Sequence, residues 1–211
     1  MLFIGEKPSI AEAIARNLSG GQFTKAQSHA TPIYKFTYQG QQCTATSVAG
    51  HVFSLNFEKK LQPWSTDEER LFDRNGTIKE LCKGAGGILG QLRGLCASAA
   101  KIILALDADR EGENICFEII NDLKLSMNKV FRLRFSALTR SEIVRAMGKL
   151  DKPDKNLSDS VEVRQELDLK VGVAFTRYQT KYFSEKYSDL NTPTVSYGPC
   201  QTPTLNFCVE R

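Results

Sequence analysis

Three acidic residues at alternating positions follow an apolar stretch near the middle of the chain. Residues 101–106 read Lys-Ile-Ile-Leu-Ala-Leu, a buried-strand pattern, and Asp107, Asp109 and Glu111 come directly after it. Carboxylates placed this densely repel one another unless a cation lies between them. Oxygen ligands without a neighbouring His or Cys suit a hard ion such as Mg²⁺, which usually meets a phosphate. The run therefore predicts a magnesium site for phosphate chemistry.

Another acid follows the apolar pattern at the start of the chain, where Met1–Ile4 predicts a strand and Glu6 comes after it. Ligands of open parallel sheets bind beyond the carboxyl ends of the strands. If the two strands are neighbours, Glu6 and the central acids converge on one crevice. The alternation also predicts that Asp107, Asp109 and Glu111 share one side of an extended segment.

Each of these charges has a plainer interpretation. Acidic residues at the start of a helix complement its dipole, and for Glu113 this interpretation is as good as a role in the site. Lys7 is either a cation that holds a phosphate or an exposed loop lysine. For Asp107 and Asp109, the apolar strand before them and the similar position of Glu6 favour the site.

The composition is that of an ordinary globular protein. Of 211 residues, 41% are hydrophobic and 25% are charged, and the net charge of +4 permits a polyanionic partner without requiring one. We expect neither a membrane span nor a signal peptide. The six cysteines include no C-x-x-C pair, which disfavours a zinc ribbon and favours reduced thiols in a nuclear or cytosolic compartment.

Strand and helix patterns alternate through the first two thirds of the chain, which predicts an α/β fold with parallel strands. Ser9 and Glu12 have the spacing of a capping box at the start of the first helix, and Thr139 and Glu142 repeat it further on. Alternating residues within 33–57 predict a hairpin.

The remaining segments carry weaker patterns. Residues 59–80 are polar and predict an irregular surface stretch, and the glycine-rich residues 83–94 favour a helix start over a phosphate cradle. A long helix is predicted over 158–187, followed by a strand at 192–196. Thr202-Pro203 then has the pattern of a helix start.

Five stretches, in this order along the chain, resemble motifs of the type IA DNA topoisomerases, specifically their topoisomerase III branch. They are Glu6-Lys-Pro-Ser9, Asp107-Ala-Asp-Arg-Glu-Gly-Glu113, Arg132-Leu-Arg-Phe-Ser-Ala-Leu-Thr139, Val163-Arg-Gln-Glu-Leu-Asp-Leu-Lys-Val-Gly172 and Ser196-Tyr-Gly-Pro-Cys-Gln-Thr-Pro-Thr-Leu205. The resemblance implies a Toprim domain over residues 1–152, Rossmann-like with a mostly parallel sheet flanked by helices. It implies that residues 153–211 begin a mainly helical domain with a groove for single-stranded DNA.

Members of this family cut one DNA strand by tyrosine attack, pass another strand through the gap and reseal it. The resemblance implies that Glu6 is the general acid and base at the scissile phosphate and also a metal ligand. It implies that Lys7 stabilises this phosphate, and that Asp107, Asp109 and Glu111 hold Mg²⁺.

The resemblance further implies contacts to nucleic acid. The residues at matching positions are His51, Arg164, Gln165, Asp168, Ser196, Tyr197, Gly198, Pro199, Cys200 and Gln201. Taken alone, His51 would be a packed or surface histidine, and Arg164 would be a member of an i,i+4 salt bridge.

Four aromatic residues at helical spacing predict a buried helix face more strongly than a base-stacking platform. They are Phe175, Tyr178, Tyr182 and Phe183.

The sequence departs from the family pattern in two places. Pro199-Cys200 stands where many members carry an Arg and an apolar residue, and this form is most similar to the eukaryotic topoisomerase III beta type, which also acts on RNA. None of the six tyrosines lies in the Tyr-Pro-Arg-Thr-like context of the nucleophile. We therefore expect the N-terminal part of a larger enzyme, with the nucleophile outside this chain.

Two other functions fit parts of the pattern. A Toprim nuclease or primase would use the acids alone through two metals, and a non-catalytic fragment would only bind single strands. The partners implied by the resemblance are single-stranded DNA, with RNA as an alternative, and the C-terminal part of the enzyme, without a membrane. A Tudor-domain or OB-fold protein is a candidate partner, and the expected location is the nucleus, with the cytoplasm as a second one.

Overall fold

The structure, a computed structural model, describes residues 1–187, 189 and 191–211. Their contacts form two compact units. The first unit comprises Met1–Ser54 and Leu81–Val161, and the second comprises Leu55–Glu80 and Glu162–Arg211. The expected division into domains at residues 152 and 153 stays a prediction. No helix in the described part of the chain is long and apolar enough to cross a membrane.

A six-stranded sheet forms the centre of the first unit. In chain order the strands of the protein are β1 (Leu2–Gly5), β2 (Phe23–Ala26), β3 (Ile33–Tyr38), β4 (Gln41–Ser47), β5 (Phe53–Phe57), β6 (Thr77–Leu81), β7 (Ile102–Ala105) and β8 (Val130–Arg132). The large sheet has the order β2-β3-β4-β1-β7-β8. The pairs β1–β4, β1–β7 and β7–β8 are parallel, as predicted, and β3 and β4 form the predicted hairpin.

Helices cover both faces of this sheet. Along the described chain the α-helices are α1 (Pro8–Ser19), α2 (Ala85–Ser98), α3 (Arg110–Asp122), α4 (Arg140–Met147), α5 (Lys155–Lys186) and α6 (Gln201–Glu210), and those on the sheet are α1 to α4. Leu2 and Ile4 of β1 pack in a core with α2 and α3, whereas Phe3 packs on the other face with α1 and α4. Both faces of β1 are therefore apolar, and this fixes the central strands whose ends carry the acids.

The helix starts test the capping predictions. Thr139 is the N-cap of α4 and accepts a hydrogen bond from the Glu142 main-chain N, which confirms that prediction. The prediction for the first helix is wrong, because α1 begins at Pro8 with Lys7 as its N-cap. Proline is favoured at a first helical position because its φ is already helical and its missing N–H is not needed there.

The second unit contains more regular structure than the sequence predicts for residues 59–80. Two 3₁₀ turns, Lys59–Leu61 and Glu68–Phe72, are followed by β6, which pairs with β5. The prediction of a wholly irregular stretch is therefore wrong. Leu61 and Leu71 are fully buried in a small core with Ala174 of α5, which explains why the turns are ordered.

The predicted strand at 192–196 is also wrong. These residues belong to no sheet, and backbone groups in and just after this stretch pair with threonine side chains of α5. The main-chain N of Val195 donates to the Thr180 hydroxyl at 2.9 Å, and that of Tyr197 donates to the Thr176 hydroxyl at 2.9 Å. The final helix begins at Gln201, one residue before the predicted N-cap.

Candidate active site

Glu6 and Asp107 lie side by side because β1 and β7 are neighbours in the sheet. The Asp107 main-chain N donates a hydrogen bond to Glu6 Oε2 at 3.3 Å. Lys7 Nζ lies 3.6 Å from Glu6 Oε1 and 4.0 Å from Asp107 Oδ2. The predicted convergence of the two strand ends is confirmed for these residues, which form a partly buried acid pair with one cation.

Asp109 and Glu111 do not continue the strand. Asp109 is the N-cap of α3, and its Oδ1 accepts a hydrogen bond from the Gly112 main-chain N at 2.8 Å. Glu111 lies in the first helical turn. The prediction that Asp107, Asp109 and Glu111 share one side of an extended segment is therefore wrong, since a helix begins at Arg110.

His51 connects Glu111 to a buried acid further along α3. Its Nε2 lies 3.2 Å from Glu111 Oε2, and its Nδ1 lies 2.9 Å from Glu118 Oε1. The hydrogen bond that His51 donates to Glu118 raises the pKa of His51 above its ordinary value, burial opposes this rise, and the Glu111 carboxylate adds to it. His51 is thus half-buried beside the acid run, and its contact with nucleic acid stays a prediction.

The donor set fits a hard divalent cation in its chemistry, because every predicted ligand is a carboxylate. Its arrangement is incomplete: among the described residues no group of three or more His, Cys, Asp and Glu side chains lies close enough to hold a metal ion. Asp109 is engaged by its helix and Glu111 by His51, so Glu6 and Asp107 are the pair that the fold itself brings together.

Glu113, the last residue of the acid run, forms buried ion pairs with arginines. Arg132 is fully buried, and its Nε donates to Glu113 Oε1 at 2.9 Å. Arg134 donates to the same oxygen at 2.8 Å, and the Asp154 main-chain N donates to Glu113 Oε2 at 3.0 Å. Glu113 is therefore neither a solvated helix-start residue nor a ligand at the site, but the counter-charge of two arginines.

The other guanidinium N–H groups of Arg132 donate to main-chain oxygens at the end of β7 and in the residues that follow it. They bond the main-chain oxygens of Leu104 at 3.2 Å, Leu106 at 2.7 Å and Asp107 at 2.5 Å. A Cβ on Gly112 would lie 2.1 Å from the Asp107 oxygen, so only glycine permits this approach of α3 to the strand end.

The acid run also borders a concave surface of the first unit. A depression of about 500 Å³ is lined by Asp107, Asp109 and apolar side chains. The residues that complete its lining are Ile10, Ala108, Phe135, Ser136, Ala137 and Leu138.

In the second unit, a cleft of about 630 Å³ is lined by most of the other residues predicted to contact nucleic acid. Its lining is Trp64, Arg164, Asp168, Leu169, Gly172, Val173, Thr176, Arg177, Ser196, Tyr197, Gly198, Pro199, Cys200 and Gln201. The helix and the turn singled out in the sequence therefore face the same cleft. Gln165 is half-buried and lies outside this lining, so the structure does not bring it to the cleft.

Two arginines in this cleft have different environments. Arg164 Nη1 donates to Asp168 Oδ2 at 2.8 Å, which is the i,i+4 pair that the plainer interpretation predicts. Arg177 is buried and donates to the main-chain oxygens of Leu61, Gln62 and Pro63. Burial lowers the pKa of Arg177 below its ordinary value, and no motif in the sequence marks this residue.

The aromatic residues of α5 do not form the buried face predicted for them. Tyr178 is 61% exposed and stacks on Tyr182 with 6.5 Å between ring centroids, while Phe175 lies 5.0 Å from the ring of Tyr197. The prediction of a core face is wrong for Phe175, Tyr178 and Tyr182, which are exposed in the second unit.

Two known protein families match successive parts of this chain. Residues 1–138 match the Toprim domain family, and residues 152–211 match the DNA topoisomerase family. The chain is 46% identical over 220 residues to DNA topoisomerase 3-beta of Arabidopsis thaliana, covering all of this chain and 25% of that protein. This chain belongs to the type IA DNA topoisomerases, on the topoisomerase III branch.

Other type IA relatives show the same coverage. DNA topoisomerase 3-beta-1 of Homo sapiens is 44% identical over 225 residues, covering all of this chain and 26% of that protein. The chain thus spans about a quarter of the curated topoisomerases it matches. The match over residues 152–211 favours a topoisomerase over the nuclease or primase alternative.

The fold agrees with a solved topoisomerase structure. Full-length topoisomerase I from Thermotoga maritima superposes with a TM-score of 0.65 at 20% identity, covering all of this chain and 30% of that one. At this identity the likeness concerns the fold alone, and it confirms the predicted class of a Toprim domain followed by a helical segment.

Three residues around the acid run make contacts that the sequence did not lead us to expect. Arg132 and Arg134 lie on β8 and just after it, and nothing in their spacing marks them as partners of Glu113. Glu118 carried a usable signal, since it lies seven residues after Glu111 and residues at i and i+7 share a helix face.

Proposed function

We propose that the first unit provides the acidic half of a topoisomerase cleavage centre. In this proposal the complete protein transiently cleaves and rejoins one strand of nucleic acid. The observation that carries the proposal is the contact between Glu6 and Asp107, with Lys7 Nζ within 4.0 Å of both carboxylates. Membership of the type IA family supports the proposal. The activity belongs to the complete protein and is proposed, because this chain spans only about a quarter of the length of its relatives.

Glu6 and Lys7 are proposed to act directly on the phosphodiester. Glu6 has one oxygen bonded to the Asp107 main-chain N and the other facing Lys7, so its carboxylate is oriented before a substrate arrives. A carboxylate so placed can move a proton at the bridging oxygen of the scissile phosphate. Lys7 is exposed and supplies a positive charge for the phosphate oxygens.

Mg²⁺ is the proposed cofactor, and Glu6, Asp107, Asp109 and Glu111 are the residues that would hold it. When bound, such an ion neutralises phosphate charge and orients the substrate. The Toprim family assignment and the all-carboxylate donor set support this part of the proposal.

The cleft of the second unit is proposed to bind the single strand. Arg164, paired with Asp168, lines this cleft together with the residues of the turn Ser196–Gln201. We propose single-stranded DNA as the substrate, with RNA as the competing substrate, and a nucleophilic tyrosine supplied outside these residues. Nuclear localisation, with the cytoplasm as a second site, and a Tudor-domain or OB-fold partner remain predictions.

The test uses the complete enzyme with negatively supercoiled DNA. Asp107→Asn combined with Asp109→Asn should abolish Mg²⁺-dependent relaxation, and Glu6→Gln should slow cleavage by about 10²–10⁴-fold because it removes proton transfer. Glu12→Gln, a carboxylate of α1 bonded to Arg16, is the matched control and should relax DNA normally. Unchanged relaxation by the double variant would overturn the proposal, as would strand cutting by the 211-residue chain alone.

A further inference from the structure

His51 is held at both ring nitrogens by two carboxylates of one helix. Glu118 Oε1 lies 2.9 Å from its Nδ1, and Glu111 Oε2 lies 3.2 Å from its Nε2. The two acids differ sharply in environment, since the Glu118 side chain is 5% exposed and that of Glu111 is 42% exposed. One end of this bridge is therefore anchored in the interior, and the other end meets the acid run.

The Glu118 carboxylate is fully used in binding one short segment. Its Oε2 accepts hydrogen bonds from the main-chain N of Val52 at 2.9 Å and of Phe53 at 3.4 Å, while its Oε1 faces His51. Because the three donors come from consecutive residues, Glu118 fixes the backbone and the imidazole of the same segment. A buried carboxylate with this many donors has little freedom to turn.

The same segment is also attached to the other strand end. Gly50 has φ +84°, a conformation that favours glycine, and its main-chain N donates to the Glu6 main-chain oxygen at 3.2 Å. Val48 N donates to the Gly5 oxygen at 2.9 Å. The segment that carries His51 is thus bonded to the Glu6 turn at one end and to α3 at the other.

We propose that Glu118 is a positioning residue of this site, which fixes His51 with Nδ1 protonated and Nε2 directed at Glu111. Through His51, Glu118 sets where the Glu111 carboxylate lies relative to Glu6 and Asp107. An ionised carboxylate only accepts hydrogen bonds, so each ring nitrogen that faces one carries a hydrogen while the imidazole is cationic. In the neutral imidazole the retained hydrogen is the one on Nδ1, because Glu118 is the nearer and more buried acceptor and two main-chain donors hold it in place. The consequence for cation binding rests on the proposed function, whereas the placement of His51 does not.

The tautomer of His51 tests the placement directly. The chain contains only two histidines, so ¹⁵N imidazole spectra of the 211-residue chain at about pH 9 can be assigned with His29→Gln. We expect the Nδ1–H form at His51. In Glu118→Gln the amide NH₂ would face Nδ1 while its oxygen keeps the two main-chain donors, so the tautomer ratio should invert to Nε2–H. Glu12→Gln is the matched control and should leave it unchanged.

Mn²⁺ titration of the same chains tests the consequence at the acid site. Removing a residue that orients a ligand typically weakens metal binding by about 10–100-fold, so Glu118→Gln should bind Mn²⁺ at least about tenfold more weakly than the Glu12→Gln control. Thermal unfolding of each variant establishes that it is folded, and the tautomer of His51 in the unsubstituted chain tests the placement even if Glu118→Gln does not fold.

The tautomer, the Mn²⁺ affinity and the relaxation of DNA test three different claims. An Nε2–H tautomer in the unsubstituted chain, or an uninverted ratio in folded Glu118→Gln, would overturn the positioning role. An inverted tautomer with unchanged Mn²⁺ affinity would overturn its effect on the acid site. Failure of the complete enzyme to relax DNA would instead overturn the proposed function and would leave the tautomer result standing.

Discussion

The guanidinium of Arg132 donates a hydrogen bond of 2.5 Å to the main-chain oxygen of Asp107, the first acid of the candidate site. Arg132 is fully buried, and its charge is balanced by Glu113 at 2.9 Å. Buried ion pairs contribute little net stability compared with apolar packing, yet losing one partner is costly. The geometry therefore links the position of Asp107 to the presence of both charges.

Replacing Arg132 by methionine should test this link. Arg132→Met leaves Glu113 buried with fewer donors and frees the Leu106 and Asp107 oxygens, so we expect a loss of about 3–5 kcal/mol in the free energy of unfolding. Urea denaturation of the chain measures it. Arg93→Met removes an exposed arginine paired with Asp122 and should change stability little. A loss no greater than in Arg93→Met would contradict the burial argument.

Gly112 offers a steric test at the same place. A Cβ there would lie 2.1 Å from the Asp107 oxygen, so Gly112→Ala must displace the strand end or the start of α3, at a cost of about 1–3 kcal/mol. Gly90→Ala is the matched control, since a Cβ at that position of α2 meets nothing within 4 Å. Alanine there should stabilise by about 0.5–1 kcal/mol. Both values come from urea denaturation, and equal signs would refute the steric explanation.

The contact between Glu6 and Asp107 could be predicted because each follows an apolar strand, and parallel strands bring their carboxyl ends to one edge. The positions of Asp109 and Glu111 could not, because the alternation of acids predicts an extended segment where Asp109 instead caps a helix. His51 and Glu118 are 67 residues apart, and a single sequence carries no signal for such a pair. The exposure of Tyr178 could not be predicted from helical spacing either. Such spacing shows that residues share one face of a helix, but it does not show whether another element covers that face.

The cysteines should differ strongly in reactivity. Burial raises the pKa of Cys116 to about 12 and that of Cys96 to about 11, whereas Cys200 and Cys208 are exposed. The thiolate is the reacting form, so at about pH 8 iodoacetamide should modify the two exposed thiols at least about 100-fold faster than the buried pair. Mass spectrometry of timed samples follows each site. In urea all four should react at similar rates, and early modification of Cys116 in the folded chain would contradict its burial.

Acid sensitivity should depend on Glu142 at the start of α4. The hydrogen bond from Arg145, followed by that from the Ser136 main-chain N, lowers the pKa of Glu142 to about 2. A carboxyl whose folded pKa is depressed stabilises the fold above its unfolded pKa, about 4.3, and this contribution is lost as the pH falls towards 2. Glu142→Gln should therefore be less stable than the unsubstituted chain at pH 6, and the difference should shrink between about pH 4.3 and 2. Urea midpoints across this range measure the difference, with Glu185→Gln on α5 as the control. A difference that is the same at pH 6 and pH 2 would show that the Glu142 charge does not act through its lowered pKa.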